Sequence, residues 1–284
     1  MDIYLIEAMI NGLLFGGVLA LLALGLNLIF GVIDVVWIAY ADLVMCGMYA
    51  VYWLHAYYGV PIALAGVATI VFVAVLGVLV HVLIIAQLLH TAPINQLLAT
   101  GGLLFFLQSF ATLLFGTDFR NLGIRLPIIE IGPIFISYAR LLAFAVALVG
   151  AGLLYAFLRR TYLGTAIRAI SQDRDIMGLM GVDARRIYIL TSAIGGGLAG
   201  LAACLLALQY DTHPFIGNTF GPLVFMVCVL GGLGNMIGGV IAAFIISQII
   251  AVGSYYESTE WAYVLAFVLF IVMMFARPRG ILGR

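Results

Sequence analysis

Apolar runs of 18 or more residues recur along this chain, and few folds remain open to such a pattern. A run of that length crosses the hydrocarbon core as a helix. In lipid, every backbone N–H and C=O must also be paired within the protein. With 65% hydrophobic and 8% charged residues over 284 positions, the chain reads as an all-α polytopic membrane protein. Residues 1–284 form a single transmembrane domain, with no room for a soluble catalytic one. The first apolar run, from about Ile10, is too long for a signal-peptide core and lacks a basic flank before it, so it reads as a retained span. No basic patch is large enough for nucleic acid. Cys46, Cys204 and Cys228 lie in apolar runs without metal-type spacing and read as small core residues.

About eight spans are expected, some broken or re-entrant. Residues 12–31 form the first, with glycines that allow close helix contacts. The break VIDVVW, with Asp34 and Trp37, precedes a short second span at 38–54 that contains Asp42. Spans follow at 62–88 and 96–116, then an irregular stretch at 117–133, then spans at 135–158 and 187–208. A polar interval at 210–219 (YDTHPFIGNT) leads into apolar residues 220–252, which GGLGNMIGG interrupts at 231–239. Five glycines and an Asn make a poor continuous helix, so two short segments meeting at a break are expected there. The last span covers 261–275.

The longest polar interval is residues 159–186, with six of the 12 Arg; the chain has no Lys. Three more Arg sit in the tail ARPRGILGR. Arg-rich connections stay on the cytoplasmic side, so both stretches are placed there, and counting spans backwards puts the N-terminus outside. Arg120 and Arg125 then fall on the outer side, against the rule. The interval also looks built. Ala166, Ala169, Ile170, Met177 and Met180 recur near helical spacing. Thr161 can cap one short helix, and Ser171 or Asp173 a second one running to about Met180. Gly181 sits where a left-handed helix stop belongs. Two such helices across a cytoplasmic face would present a shaped surface to a soluble partner; the alternative is a solvated loop.

GGVLALLALGLNL at 16–28 resembles GGLAGLAACLLAL at 196–208, and each precedes a polar interval and a short, Gly-interrupted segment. On this topology the two run in opposite directions, a candidate inverted repeat of the kind that builds transport paths. No catalytic set accompanies it. His55, His81, His90 and His213 are scattered, with no Cys or carboxylate at ligand spacing. There is no nucleophile elbow and no P-loop. No enzyme activity, metal or cofactor is expected. Asp34 and Asp42 stand out, because an ionisable group at membrane depth costs about 2.5–3.5 kcal/mol and usually faces a cavity or partner. Asp34 also admits an interfacial reading; Asp42 lies deeper. Trp37, Tyr40, Asp42 and His213 lie on the polar breaks of the two halves and are expected to supply residues facing a translocation route. Few fixed charges there suggest a small neutral, zwitterionic or partly apolar substrate.

GTAIRAISQDRDIMGLMGVD, residues 164–183, resembles the cytoplasmic loop of the branched-chain amino acid type of ABC transporter permease, roughly G-x-A-x-R-A-x-x-x-D, a short helix, then G-[IV]-[ND]. Gly164, Ala166, Arg168, Ala169, Asp173, Gly181, Val182 and Asp183 match. The resemblance continues at Phe106-Leu-Gln108, at VLGGLG with Gly238-Gly239, and at RPRGILG near the C-terminus. It loosens at VWIAYAD, residues 36–42, where the family commonly has I-N-F-A-H-G-[DE]. Ala39 and Asp42 match, while Trp37, Ile38, Tyr40 and Ala41 depart. If this segment lines the path, a different or more hydrophobic substrate follows. The connection at 87–95 also lacks the family's basic R-P segment.

The resemblance implies the membrane-spanning permease subunit of an ATP-driven importer. Its substrates would be branched-chain or other small hydrophobic amino acids, or related solutes such as amides, urea and aromatic acids. It implies a multi-pass protein of the bacterial inner membrane. The partners would be a second permease subunit, in a heterodimer, two ATP-binding subunits that hydrolyse the ATP, and a periplasmic or extracellular substrate-binding protein. The coupling loop at 159–186, with Gly164, Arg168, Asp173, Gly181 and Asp183, would dock on the ATPase. The competing class is an ion-coupled secondary transporter or channel, for which Asp42 is the candidate coupling carboxylate. The structured Arg-rich loop favours the ATPase-driven reading.

Overall fold

A computed structural model describes residues 3–89, 91–124, 127–131, 134–173, 177 and 180–283. Among these residues, seven helices are long and apolar enough to cross a membrane. They are α1 (Ile3–Ile33), α3 (Ile62–Leu88), α4 (Pro93–Phe115), α5 (Tyr138–Arg160), α7 (Ala184–Ala207), α9 (Met236–Tyr256) and α10 (Thr259–Ala276). Two shorter apolar helices follow the expected breaks: α2 (Tyr40–Tyr52), extended by a π-helical turn at Trp53–Tyr57, and α8 (Ile216–Gly231). An amphipathic helix, α6 (Tyr162–Ile170), leads the Arg-rich interval. This is the expected all-α polytopic fold.

Local chemistry sets the helix starts. Pro93 opens α4, where its missing N–H costs nothing. Asp183 caps α7 by accepting the Arg185 N–H at 3.0 Å, and Asn235 caps α9 by accepting that of Gly238 at 3.0 Å. The break at 231–239 forms as expected, between α8 and α9. Two expectations shift. The stretch at 117–133 is not wholly irregular: strands β1 (Ile128–Ile131) and β2 (Ile134–Ser137) pair antiparallel, as an Ile-rich run favours. Helix α8 begins at Ile216 rather than near 220, so Asn218 is helical. Cys228 is buried, while Cys46 and Cys204 are only partly so. His90, Arg125, Asp175 and most of the second loop helix expected up to Met180 lie outside the described residues.

Helices α1 and α9 pack antiparallel: Gly12 lies against Ala251, Gly16 against Ser247 and Gly31 against Gly234. Helices α3 and α7 pack in the same manner, with Cys204 donating to Gly66 O, Gly200 against Ile70 and Gly196 against Ala74 and Gly77. Exchanging α1–α4 with α7–α10 maps many of the helix contacts onto one another, although the α9–α10 contact has no counterpart of similar extent between α3 and α4. The α1–α9 contact becomes α7–α3, α2–α3 becomes α8–α9, α2–α7 becomes α8–α1, and α2–α4 becomes α8–α10. Helices α1 and α7 cross at Gly25 and Gly195, running in opposite directions. The contact pattern is that of an inverted repeat, with α5 and α6 inserted between the halves.

These crossings leave no room for side chains. A Cβ on Gly196 would stand 2.7 Å from Val73 O, and one on Gly77 2.8 Å from Ser192 O. Gly152 has nothing within 4 Å. Gly196→Leu should therefore cost at least about 1–3 kcal/mol and sharply reduce yield from the membrane. Gly152→Ala should be neutral or stabilise by up to about 1 kcal/mol. Thermal melting of the purified variants in detergent checks both.

Candidate functional site

The N-termini of the short helices α2 and α8 meet inside the bundle. Asp42, in the first turn of α2, lies against Gly217 at the start of α8, and Gly221 packs on Ala41. Helix α4 serves as a ruler for their depth. Thr100 donates to Val36 O at 3.1 Å, Gln108 reaches Asp42, and Phe115 stacks on Tyr49 with centroids 4.3 Å apart. The junction of α2 and α8 therefore lies beside the middle of α4. Residues 34–39 rise to it from one end of the bundle, and residues 208–215 reach it from the other.

A groove of about 560 Å³ opens beside this junction. Leu26, Leu97, Leu104, Val224 and Phe225 supply apolar walls, Trp37, Ile38 and Tyr40 line it from the first break, and Gly217, Asn218, Gly221 and Pro222 line it from α8. Behind the wall, Gln108 Nε2 donates both to Asp42 Oδ1 at 3.0 Å and to Asn218 Oδ1 at 2.8 Å. Among the described residues no Arg is bound to Asp42; Gln108 and the positive end of α2 support it. Asp42 Oδ2 and Trp37 Nε1 are buried and have no partner among the described residues. Tyr40 donates to Gly195 O at 3.0 Å.

Trp37, Tyr40 and Asp42 are thus brought together. His213 stands apart, at the end of the bundle opposite the Arg-rich interval, with its ring 4.7 Å from Phe119. Burial holds its pKa below the usual imidazole value, with Asp211 acting partly against the shift. Around it the two halves are clasped. Arg120 and Thr212 exchange backbone hydrogen bonds of 2.9 and 2.8 Å, and Asn121 donates to Asp211 at 2.7 Å. The Arg120 guanidinium lies 5.6 Å from the rings of both Tyr52 and Trp53 and donates to Phe115 O. Arg120 is a fixed structural cation there, which accounts for one exception to the Arg distribution. Arg140, exposed in the first turn of α5, is a further Arg at that end.

The loop residues gather at the other end. Thr161 Oγ1 accepts the Gly164 N–H at 3.0 Å and caps α6, and Gly164 packs on the Leu158 backbone, where no side chain fits. Ala166, Ile167 and Ile170 are buried, while Arg168 is exposed, with Nη2 3.5 Å from Thr165 Oγ1. Gly181 takes φ +79°, and Val182 N–H closes on Met177 O, as a left-handed stop requires. Asp183 serves its own chain: it caps α7 and pairs with Arg186 at 3.1 Å. Asp173 donates its N–H to Ala169 O at the end of α6. Ser171, Gln172 and Asp173 share a polar cavity of about 630 Å³ with Asp34, Gly31 and Gly234.

Sequence reasoning missed Gln108 and Asn218 as site residues. Gln108 carried a signal, as a lone amide within an apolar span. Asn218 did not, because it merged with the polar interval at 210–219.

The family model described as the permease component of branched-chain amino acid transport systems matches residues 8–274. BraD of Pseudomonas aeruginosa, a high-affinity branched-chain amino acid transport system permease protein, is 29% identical over 294 residues, 98% of this chain and 96% of that one. LivH of Escherichia coli strain K12, a permease protein with the same description, is 27% identical over 301 residues, 99% of this chain and 96% of that one. Among solved structures, PsaBC from Streptococcus pneumoniae in complex with Fab aligns with a TM-score of 0.53 at 13% identity, covering 98% of this chain and 94% of that one. This last likeness is one of fold alone.

The clasp yields a test. Each cation–π contact contributes about 0.5–2 kcal/mol, so Arg120→Ala should loosen the pairing of Arg120 with Thr212. Thr212 is buried. In a background freed of native Cys, a Cys at Thr212 should react slowly with a water-soluble maleimide, and at least about tenfold faster once Arg120→Ala is added.

Proposed function

The chain belongs to the family of branched-chain amino acid transport system permease components, and from that premise we propose that it forms half of the membrane path of an ATP-driven importer. The substrates are branched-chain amino acids or related small solutes with an apolar part. The full-length similarity to BraD and LivH supports this reading. The groove agrees with it, being apolar-walled, with few polar groups and no Arg in its lining. An ion-coupled mechanism has less support, because Asp42 lies behind Gly217 and the groove lining does not include it.

In this reading the membrane is the bacterial inner membrane, the Arg-rich end is cytoplasmic and the clasp of Arg120 with Thr212 faces outward. A soluble binding protein delivers substrate to that outer face. A second permease covers the flank between α4 and α8, where Ser109, Asn218 and Thr219 are exposed at membrane depth. An amide facing lipid would lack partners. The outer faces of α3, α5 and α10 instead show Leu64 and Val67, Val149 and Leu153, and Leu265 and Ile271, which suit lipid. The path then runs between the two permeases.

One of the two ATP-binding subunits docks on α6, and the other on the second permease. The buried face of α6 fixes it to the bundle, so a push on its exposed face is transmitted rather than absorbed. Arg168 offers a forked donor to a carboxylate or helix end on the ATPase.

Reversing a charge at such an interface can cost several kcal/mol. Arg168→Glu should leave membrane insertion unchanged and reduce ATPase co-purification by about tenfold or more; wild-type levels of ATPase would remove Arg168 from the interface. Orientation is checked separately. In a background freed of native Cys, a Cys at Ser171 should label only from the cytoplasmic side, and labelling by an impermeant reagent in intact cells would invert the topology.

A further inference from the structure

Three side chains lining the groove between α4 and α8 carry polar atoms: Trp37, Tyr40 and Asn218. The Tyr40 hydroxyl is spent on Gly195 O. The Trp37 indole N–H is buried, on a side chain 1% exposed, and has no partner among the described residues. A buried donor left unpaired is unusual and asks for an acceptor. Asn218 is oriented by a chain of hydrogen bonds. A carboxylate only accepts, so Asp42 holds the Gln108 amide with its N–H₂ group inward. The second hydrogen of that group goes to Asn218 Oδ1. The Asn218 amide nitrogen is therefore the end offered to the groove, and the unpaired Trp37 N–H is a second donor on a side chain of its lining.

We infer that Trp37 Nε1 and Asn218 Nδ2 bind the carboxylate of the transported solute, whose hydrocarbon part lies on Leu26, Leu104 and Phe225. Asp42, acting through Gln108, is the positioning residue that keeps the Asn218 donors facing outward. This inference rests on the importer reading above and names the part of the substrate that the permease recognises. The start of α8 supports it through its dipole, whose positive end lies beside Asn218, although the Ile216 and Asn218 N–H groups are themselves spent on His213 O and Phe215 O. An ammonium group is the poorer fit: the nearest carboxylate, Asp42, sits behind Gly217 and does not line the groove.

The test uses the assembled permease–ATPase complex, with leucine and leucinamide as probes, in direct binding and in uptake by vesicles. Trp37→Phe keeps the ring and removes the N–H. Asn218→Asp keeps the shape and replaces donors with an acceptor. Wild type should bind leucine in preference to leucinamide. Trp37→Phe should raise the half-saturating leucine concentration about tenfold. Asn218→Asp should reverse the preference, because the carboxamide can donate to the new carboxylate. Asp42→Asn should erode the preference, because Gln108 is then free to flip. Unchanged leucine binding and an unchanged acid-to-amide ratio in Trp37→Phe and Asn218→Asp would overturn the inference and leave the importer reading intact. Absence of ATP-dependent uptake of any branched-chain amino acid or related solute, in vesicles holding the assembled complex and its binding protein, would instead remove that reading. Should Asn218→Asp fail to co-purify with the ATPase, Trp37→Phe decides the matter.

Discussion

Gly25 of α1 and Gly195 of α7 bring two helices so close that the phenol of Tyr40 reaches across the crossing and donates to the Gly195 carbonyl at 3.0 Å. In lipid, burying apolar side chains gains little, because the acyl chains are equally apolar. Association then depends on close packing and on hydrogen bonds between helices. The α1–α7, α1–α9 and α3–α7 contacts all use glycine where backbones meet. Only such close approach leaves space within the bundle for two short helices that begin beside the middle of α4. Tyr40 joins the two features: it is the first residue of α2 and also the tie across the glycine crossing.

Short helices at membrane depth carry irregular backbone with them, and that backbone must be paired. The structure meets this demand at each break. Val36 O accepts from Thr100, and Thr212 pairs with Arg120. The turn between α8 and α9 is held from two sides. Buried Asn27 of α1 accepts the Gly234 N–H at 3.1 Å, while the tail donates from Ile281 to Leu230 O and from Leu282 to Gly231 O. Gly232 and Gly280 both have positive φ and lie against each other, with no space for a Cβ on either. The sequence motifs VLGGLG and RPRGILG, about 50 residues apart in the chain, are therefore the two halves of one clamp.

Much of this was legible in the sequence because it depends on local signals. Span positions follow from apolar length, the start of α6 from Thr161, the stop at Gly181 from its freedom at positive φ, and the break at 231–239 from glycine density. The weak likeness of residues 16–28 to 196–208 pointed to a repeat that the helix contacts display far more fully. Features that depend on distant partners were hidden. Arg120 reads as a misplaced charge until Tyr52, Trp53 and Phe115 are seen around it. Asn218 reads as part of an outer loop until α8 is seen to begin at Ile216. The β1–β2 pair was hidden because it begins within residues 117–133, which read as an irregular stretch. Asp42 was found by its cost at membrane depth, but its partner Gln108 lies 66 residues away.

The face of α6 and the groove are linked by short, firm connections. The end of α6 shares its polar cavity with Asp34, which terminates α1 in the left-handed conformation at φ +60° and donates its N–H to Phe30 O at 2.8 Å. A non-glycine residue held there costs roughly 1–2 kcal/mol, so surrounding contacts have to fix it. Three residues further on, Trp37 lines the groove. On the opposite wall of the cavity, Gly234 belongs to the turn that ends α8, and α8 carries Asn218 at its other end. Both groove donors therefore stand on elements that terminate beside α6. In the proposed importer, a partner that displaced α6 would alter the spacing of Trp37 and Asn218 without touching a solute held between them. Transmission of this kind needs only packed elements with two arrangements, and the glycine crossings supply stiff contacts on which such elements can move as units.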